Sequence, residues 1–313
     1  MRVLVAGGAG FIGSHVCRTL LDQGHEVTCL DNFVTGRSTN VDMLEDYPSF
    51  QLIEADVSQE LPKLEPELIL HLASPASPIH YKEHSIETML SNSIGTMHLL
   101  QLATEVGARF LFASTSEVYG DPLEHPQTEK YWGNVNPIGP RACYDESKRF
   151  GEAITFEFRR KHQTNASLVR IFNTYGERMN LADGRVVPAF VAAALNNEPL
   201  PVHGAGTQTR SFCYVSDLVQ AMLLVAFDRD ADGEVFNIGN PHEITMLELA
   251  EEVVKATGAS AGIEFVSRGT DDPERRKPDI SKVKARYGWE PVVGLSEGIG
   301  RTVEYFKGTL ART

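Results

Sequence analysis

In the first half of the chain, short apolar runs rich in Val, Ile, Leu and Phe alternate with longer stretches of helical periodicity. That alternation predicts parallel strands covered by helices, because a strand buried on both faces reads as a continuous apolar run. Strands are predicted at 2–6, 26–30, 50–54, 68–71, 109–113 and 167–171, with long helices near 85–106 and 144–162. Beyond Asn173 the texture changes, with strands at 200–202, 210–214 and 235–238 among helices near 187–197, 216–227 and 245–255. An α/β chain is expected, with one lobe over 1–173 to which elements near 203–240 return. A smaller mixed α/β lobe occupies most of 174–313.

Composition narrows the partners. A net charge of −13 argues against nucleic acid or an anionic membrane, although an anionic small molecule remains open where cations cluster. Cys17, Cys29, Cys143 and Cys213 have no CxxC or CxxH spacing, and the ten histidines have no ligand spacing, so no metal site is expected. No apolar run approaches the roughly 20 residues of a membrane span. Only Met1 and Arg2 precede the first strand, so no cleavable signal peptide is expected. A cytoplasmic globular protein is the expectation.

The segment from Val3 to Gly13 runs from an apolar strand into a helix and carries Gly7, Gly8, Gly10 and Gly13. One glycine permits the tight turn, one lets backbone approach a pyrophosphate, and one lets helix pack on strand. The helix N-terminus offers N–H groups to phosphate oxygens. A plain turn would use the same residues, but Asp31 closes the second strand at the spacing of a ribose-binding carboxylate. Its charge favours NAD over NADP, while Arg37 nearby keeps NADP open. Asp56, just past the third strand, is placed to reach an adenine amino group. A Rossmann-type doubly wound parallel sheet is therefore expected.

Tyr144 and Lys148 form YxxxK, with both side chains on one helical face. A tyrosine titrating near 10 is a poor base at neutral pH, and an adjacent ammonium would stabilise its phenolate. A surface Tyr–Lys pair would share this spacing. However, Thr115 also ends an apolar strand, where a parallel sheet presents residues to ligand.

These stretches resemble the extended short-chain dehydrogenase/reductase family, and within it the decarboxylases of UDP-glucuronate. The resemblance is carried by Ser114-Thr115-Ser116-Glu117-Val118-Tyr119-Gly120, by Asn136-Pro137 through Tyr144-Asp145-Glu146, and by Arg170-Ile171-Phe172-Asn173. Asp183-Gly184-Arg185, Gln208-Thr209-Arg210, Asp271-Asp272-Pro273 and Arg276-Lys277-Pro278-Asp279 extend it through both lobes. It implies oxidation of the sugar at carbon 4 by bound NAD, with Tyr144 as base and Thr115 on the same hydroxyl. Loss of carbon dioxide and return of hydride then give UDP-xylose. Ser116 stands where sugar 4,6-dehydratases carry an acidic Asp, and Glu117 is implied near carbon 5. The 4-epimerases usually carry a small or neutral residue in place of Glu117.

The resemblance also implies Arg276 as the cation for the substrate carboxylate, though alone it reads as part of a solvated basic turn. The implied cofactor site comprises Gly7, Gly10, Phe11, Ile12, Gly13 and Asp31, with Asn32, Phe33, Thr35 and Gly36. Asp56, Val57, Leu72, Ala73, Ser74 and Asn92 complete it, beside Tyr144 and Lys148. Asn173, Arg178, Arg185, Val187, Gln208 and Arg210 are implied for the UDP-sugar, with Tyr81 and Tyr214. The family further implies a homodimer formed by the helices near 85–106 and 144–162. A 4-epimerase on the same scaffold is the nearest alternative. A non-catalytic NAD-binding sensor is disfavoured because Tyr144 and Lys148 are both kept.

Overall fold

Seven parallel strands form the central sheet of the computed structural model, which describes residues 1–267 and 275–310. The Asp271-Asp272-Pro273 stretch lies outside the described residues. The first six strands are β1 (Arg2–Ala6), β2 (Glu26–Asp31), β3 (Phe50–Glu54), β4 (Leu68–His71), β5 (Arg109–Thr115) and β6 (Ala166–Ile171). Their spatial order, with the seventh strand Val235–Ile238 at the edge, is Val235–Ile238, β6, β5, β4, β1, β2, β3. β4 is buried along its whole length and β1 from Val3 to Ala6, which explains why they read as unbroken apolar runs.

From β1 the chain winds outward through β2 to β3, then returns to place β4 on the other side of β1. The order reverses there, and the reversal opens a crevice outside the carboxyl ends of the strands. Val235–Ile238 comes from far along the chain, yet it pairs with Leu168–Ile171 of β6. The helix before it, Val215–Phe227, buries Leu218, Ala221, Met222 and Val225 and packs against β6 and the helix Phe11–Asp22.

The remainder builds smaller sheets. Glu243–Thr245, Thr209–Ser211 and Arg275–Arg276 form one, and Leu200–His203 pairs with Ile263–Val266 in another. Here the pattern at 210–214 misled. The chain changes partners at Phe212, because Thr209–Ser211 belongs to the three-stranded sheet while Cys213–Tyr214 pairs with Thr174–Tyr175. The helix expected over 85–106 is also interrupted. Ser85–Leu90 and Thr96–Val106 flank a π-helical turn at Ser91–Gly95. Such turns insert a residue and redirect side chains, and this one contains Asn92, which points at Ser74 and Ser147. Gly95 lies so close to Val57 that a Cβ there would stand 2.6 Å from a valine methyl.

Candidate active site

The glycine loop leaves β1 at the reversal point. Gly7 has φ +81°, and a Cβ there would lie 2.5 Å from the Ala73 nitrogen at the end of β4. A Cβ at Gly13 would lie 2.8 Å from Gly8 Cα and would also strike the Gly7 carbonyl. Loop, strand and helix therefore meet at backbone distance, which only glycine permits. The helix Phe11–Asp22 has no side-chain cap at Gly10, so its first amides remain for a ligand. Gly10, Phe11, Ile12 and Gly13 all line the main cavity, of about 410 Å³.

Asp31 stands beside this loop. Its carboxylate accepts from the Ala9 amide and from the Phe33 amide, each at 2.9 Å, and burial raises its pKa. Asp31, Asn32, Thr35, Gly36, Val57, Leu72, Ala73 and Ser74 line a smaller adjoining pocket of about 60 Å³ that shares Gly7 and Gly10 with the main one. A cradle closed to any Cβ, uncapped helix amides and a strand-end carboxylate together fit an adenine dinucleotide. Phe33, Asp56 and Asn92 line neither cavity. Asp56 accepts from the Asn32 amide at 2.9 Å, and fully buried Asn92 bridges Ser74 and Ser147 with its Oδ1 unpartnered.

At the chemical end, β5 finishes at Thr115 and the helix Ala142–His162 brings Tyr144 and Lys148 alongside. Thr115, Ser116, Glu117, Tyr144 and Lys148 line the main cavity. The Lys148 ammonium donates to the Ala113 carbonyl at 2.8 Å and lies 5.9 Å from the Tyr144 ring centre. One expectation needs correction here. Burial drives the Tyr144 phenol well above its usual range, with Thr115 pulling the other way, and burial lowers Lys148 to about 7. In the protein alone, desolvation outweighs any help from the ammonium, so the phenol is protonated.

For Arg276, the solvated turn that the run alone suggests does not hold. It is 4% exposed, and its guanidinium is engaged by Glu117. Nη2 donates to Glu117 Oε2 at 2.9 Å and Nη1 to Oε1. Arg141 donates to the same Oε2. Burial would push the Glu117 carboxyl up, but the two arginines hold it below its usual range. Asp145 lies 3.8 Å from Arg141 Nε, and burial together with the Glu117 charge raises it to about 7.

Asn173, Arg178, Arg185, Val187, Gln208, Arg210 and Tyr81 line the main cavity, as does Arg276. Arg185 is steered by Asp183, and Arg178 Nη1 is buried without a partner among the described residues. Tyr214 does not join them. Its hydroxyl donates to Glu177 and its ring packs edge-on against Tyr175, 5.5 Å between centres. Arg141, Asp145 and Asp183 belong to the cavity wall or its ion pairs but escaped sequence reasoning. Arg141 had one signal, its position a helical turn before Tyr144.

The dinucleotide cradle and the Tyr144–Lys148–Thr115 cluster now meet in one crevice. A model of the NAD dependent epimerase/dehydratase family matches residues 3–239. The chain belongs to this family. It uses NAD, in keeping with the family description and the cradle. The chain is 53% identical over 307 residues to UDP-glucuronic acid decarboxylase 1 of Arabidopsis thaliana, covering 98% of this chain and 70% of the relative. Among solved structures it is similar to UDP-glucose 4-epimerase of Thermotoga maritima, at 31% identity and a TM-score of 0.88, covering 99% of this chain and 100% of that one. The UDP-glucuronic acid 4-epimerase of Bacillus cereus, solved with UDP-glucuronic acid and NAD, aligns at 28% identity and a TM-score of 0.89, with the same coverage. Among the described residues, no group of three or more His, Cys, Asp or Glu is placed to hold a metal, and no helix is long and apolar enough to cross a membrane.

Proposed function

We propose that this chain decarboxylates UDP-glucuronic acid to UDP-xylose through a 4-keto sugar, with NAD reduced and then reoxidised. The observation that carries this reading is buried Arg276, paired with Glu117 in the wall of the cavity that Tyr144 also lines, a cation for a substrate carboxylate. The 53% identity to a relative named for this reaction supports it, against 28% to the 4-epimerase of the same sugar.

NAD, held by the glycine turn at Gly7–Gly13, would supply a hydride acceptor for carbon 4 and a positive ring of the sign a phenolate needs. Tyr144 takes the proton of the carbon 4 hydroxyl, and Thr115 orients that hydroxyl. The resulting ketone is β to the carboxylate. The bond from carbon 5 to the carboxyl carbon breaks, carbon dioxide leaves, and the electron pair moves towards the ketone oxygen. The now protonated Tyr144, whose buried phenol holds its proton tightly, donates a hydrogen bond to that oxygen. Ser116 and Glu117 control the proton that returns to carbon 5. Arg276 holds the carboxylate, and release of carbon dioxide removes the charge it held. Asn173, Arg178, Arg185, Val187, Gln208 and Arg210 hold the nucleotide, with arginine forks suited to diphosphate oxygens.

The lobe over 1–173 with its returning elements holds NAD, and 174–313 mainly holds the nucleotide sugar. Ile86, Met89 and Leu90 are exposed at helical spacing beside exposed Phe150, on helices that pack together, which supports a homodimer through this face. Four thiols without disulfides suit a reducing cytoplasm.

The test is release of labelled carbon dioxide from carboxyl-labelled UDP-glucuronic acid, with the nucleotide-sugar product identified and Tyr144→Phe run in parallel. Carbon dioxide and UDP-xylose, with the variant reduced by at least about a hundredfold, is the expected result. Conversion to UDP-galacturonate without carbon dioxide would transfer the chain to the 4-epimerases.

A further inference from the structure

Glu117 is shared between two arginines brought from different parts of the chain. Arg276 comes from the short strand Arg275–Arg276, and Arg141 from the turn leading into the helix of Tyr144 and Lys148. Oε1 accepts from Arg276 and Oε2 from both. Glu117, Asp145, Arg141 and Arg276 carry two formal charges of each sign, and the charge of Arg210 also acts on Glu117, so an arriving substrate carboxylate meets arginines that already have carboxylate partners. Yet Arg276 Nε is buried and has no hydrogen-bond partner among the described residues, so the guanidinium keeps a donor that Glu117 does not use.

We infer that substrate binding is a carboxylate exchange on Arg276, in which Arg141 is the positioning residue that keeps Glu117 paired when Arg276 turns to the sugar carboxylate. The inference rests on the reading of UDP-glucuronic acid as substrate. Its physical reason is the cost of a buried charge that loses its counter-ion, which exceeds the worth of the pair itself. Without Arg141, Glu117 would be left with only the charge of Arg210 once Arg276 turned away, or would compete with the substrate for the same forks. Arg141 already holds Oε2, so the exchange moves one carboxylate aside without isolating it. Arg141 also starts the Tyr144 helix, so the exchange is referenced to the atoms that do the chemistry.

The experiment measures equilibrium binding of UDP-glucuronic acid and of UDP-xylose to the NAD-loaded protein. Tyr144→Phe serves as the non-turning-over background. Loss of one charge-assisted hydrogen bond is worth roughly a factor of ten. Arg141→Gln is therefore expected to weaken UDP-glucuronic acid about tenfold while leaving UDP-xylose, which lacks the carboxylate, within about twofold. Arg141→Lys, which keeps the charge, is expected to recover most of the loss. In a Glu117→Gln background no carboxylate has to be released, so Arg141→Gln should no longer discriminate between the two ligands. Equal weakening of both ligands, or no weakening of UDP-glucuronic acid, overturns the exchange and leaves Arg141 a structural residue. Should Arg141→Gln not fold, the same comparison on Arg141→Met, which keeps the length of the side chain without its charge, decides it, since a packing role would not distinguish the ligands. A wild type that releases no carbon dioxide would end the decarboxylase reading separately, because the binding comparison needs only a carboxylated sugar nucleotide.

Discussion

The ring of Tyr81 lies flat on the ring of Tyr144, with 5.2 Å between centres and 9° between planes. Tyr81 comes from the short helix Pro78–Glu83, which follows the loop after β4, so the stack ties that loop to the YxxxK helix. Burial pushes the Tyr81 phenol to about 12, so it stays protonated beside Tyr144. Tyr81→Phe keeps the stack and should retain kcat within a few-fold, whereas Tyr81→Ala should lower it by about tenfold or more. Steady-state kinetics decide; equal losses in both variants would show that the hydroxyl, not the stack, matters.

The charge of Asp31 is expected to set the cofactor preference. Asp31→Ser removes the acceptor for ribose hydroxyls and the repulsion of a 2′-phosphate. The ratio of NAD to NADP affinity should fall by at least about tenfold, read by titration calorimetry of the two dinucleotides. An unchanged ratio would assign the preference elsewhere in the pocket.

Gly13 is held between the Gly7 carbonyl and Gly8 Cα. Neither is a side chain that can swing away, so Gly13→Ala must push the helix off the loop. NAD affinity should drop by at least about tenfold. Retention of cofactor through purification, read by absorbance, checks it.

His71 is fully buried at the end of β4, with Nε2 3.0 Å from Thr96 Oγ1. Burial, with the Lys148 charge, lowers its pKa from the ordinary 6.5 to about 3. The folded value lies below the unfolded one, so between those two pH values the unfolded chain binds the extra proton. The stabilisation is complete above about 6.5 and is lost as pH falls, at up to about 1.4 kcal/mol per pH unit. Between pH 7 and 5, urea unfolding of the wild type should lose roughly 2 kcal/mol more than that of His71→Asn. Parallel losses would remove His71 as the source. Half-buried His15, lowered to about 4, adds to the slope of both proteins alike.

Much of this arrangement is legible along the chain because parallel strands carry their own signature. Runs such as those of β1 and β4 are apolar throughout, and the strand bounds follow from where that stops. Glycines at 7 and 13 identify a dinucleotide turn because a side chain at either would strike backbone. Where two sheets compete for one stretch, as at 209–214, periodicity cannot say where the chain changes partner. Periodicity also misses the π turn at Ser91–Gly95, because one extra residue in a helix barely alters an apolar pattern.

Residue types, spacing and strand-end position were enough to determine the α/β class, a dinucleotide turn with a carboxylate that favours NAD, and the cluster of Thr115, Tyr144 and Lys148. Those features are local, so neighbouring residues encode them. Only the tertiary structure decided that Arg276 faces Glu117, that Arg141 shares it, that Tyr214 turns to Glu177, and that Tyr144 and Lys148 are shifted by burial. Glu117 and Arg276 are 159 positions apart, and no local pattern records a contact across that distance. Burial likewise belongs to the packed molecule, since the water a group loses depends on every element that closes over it.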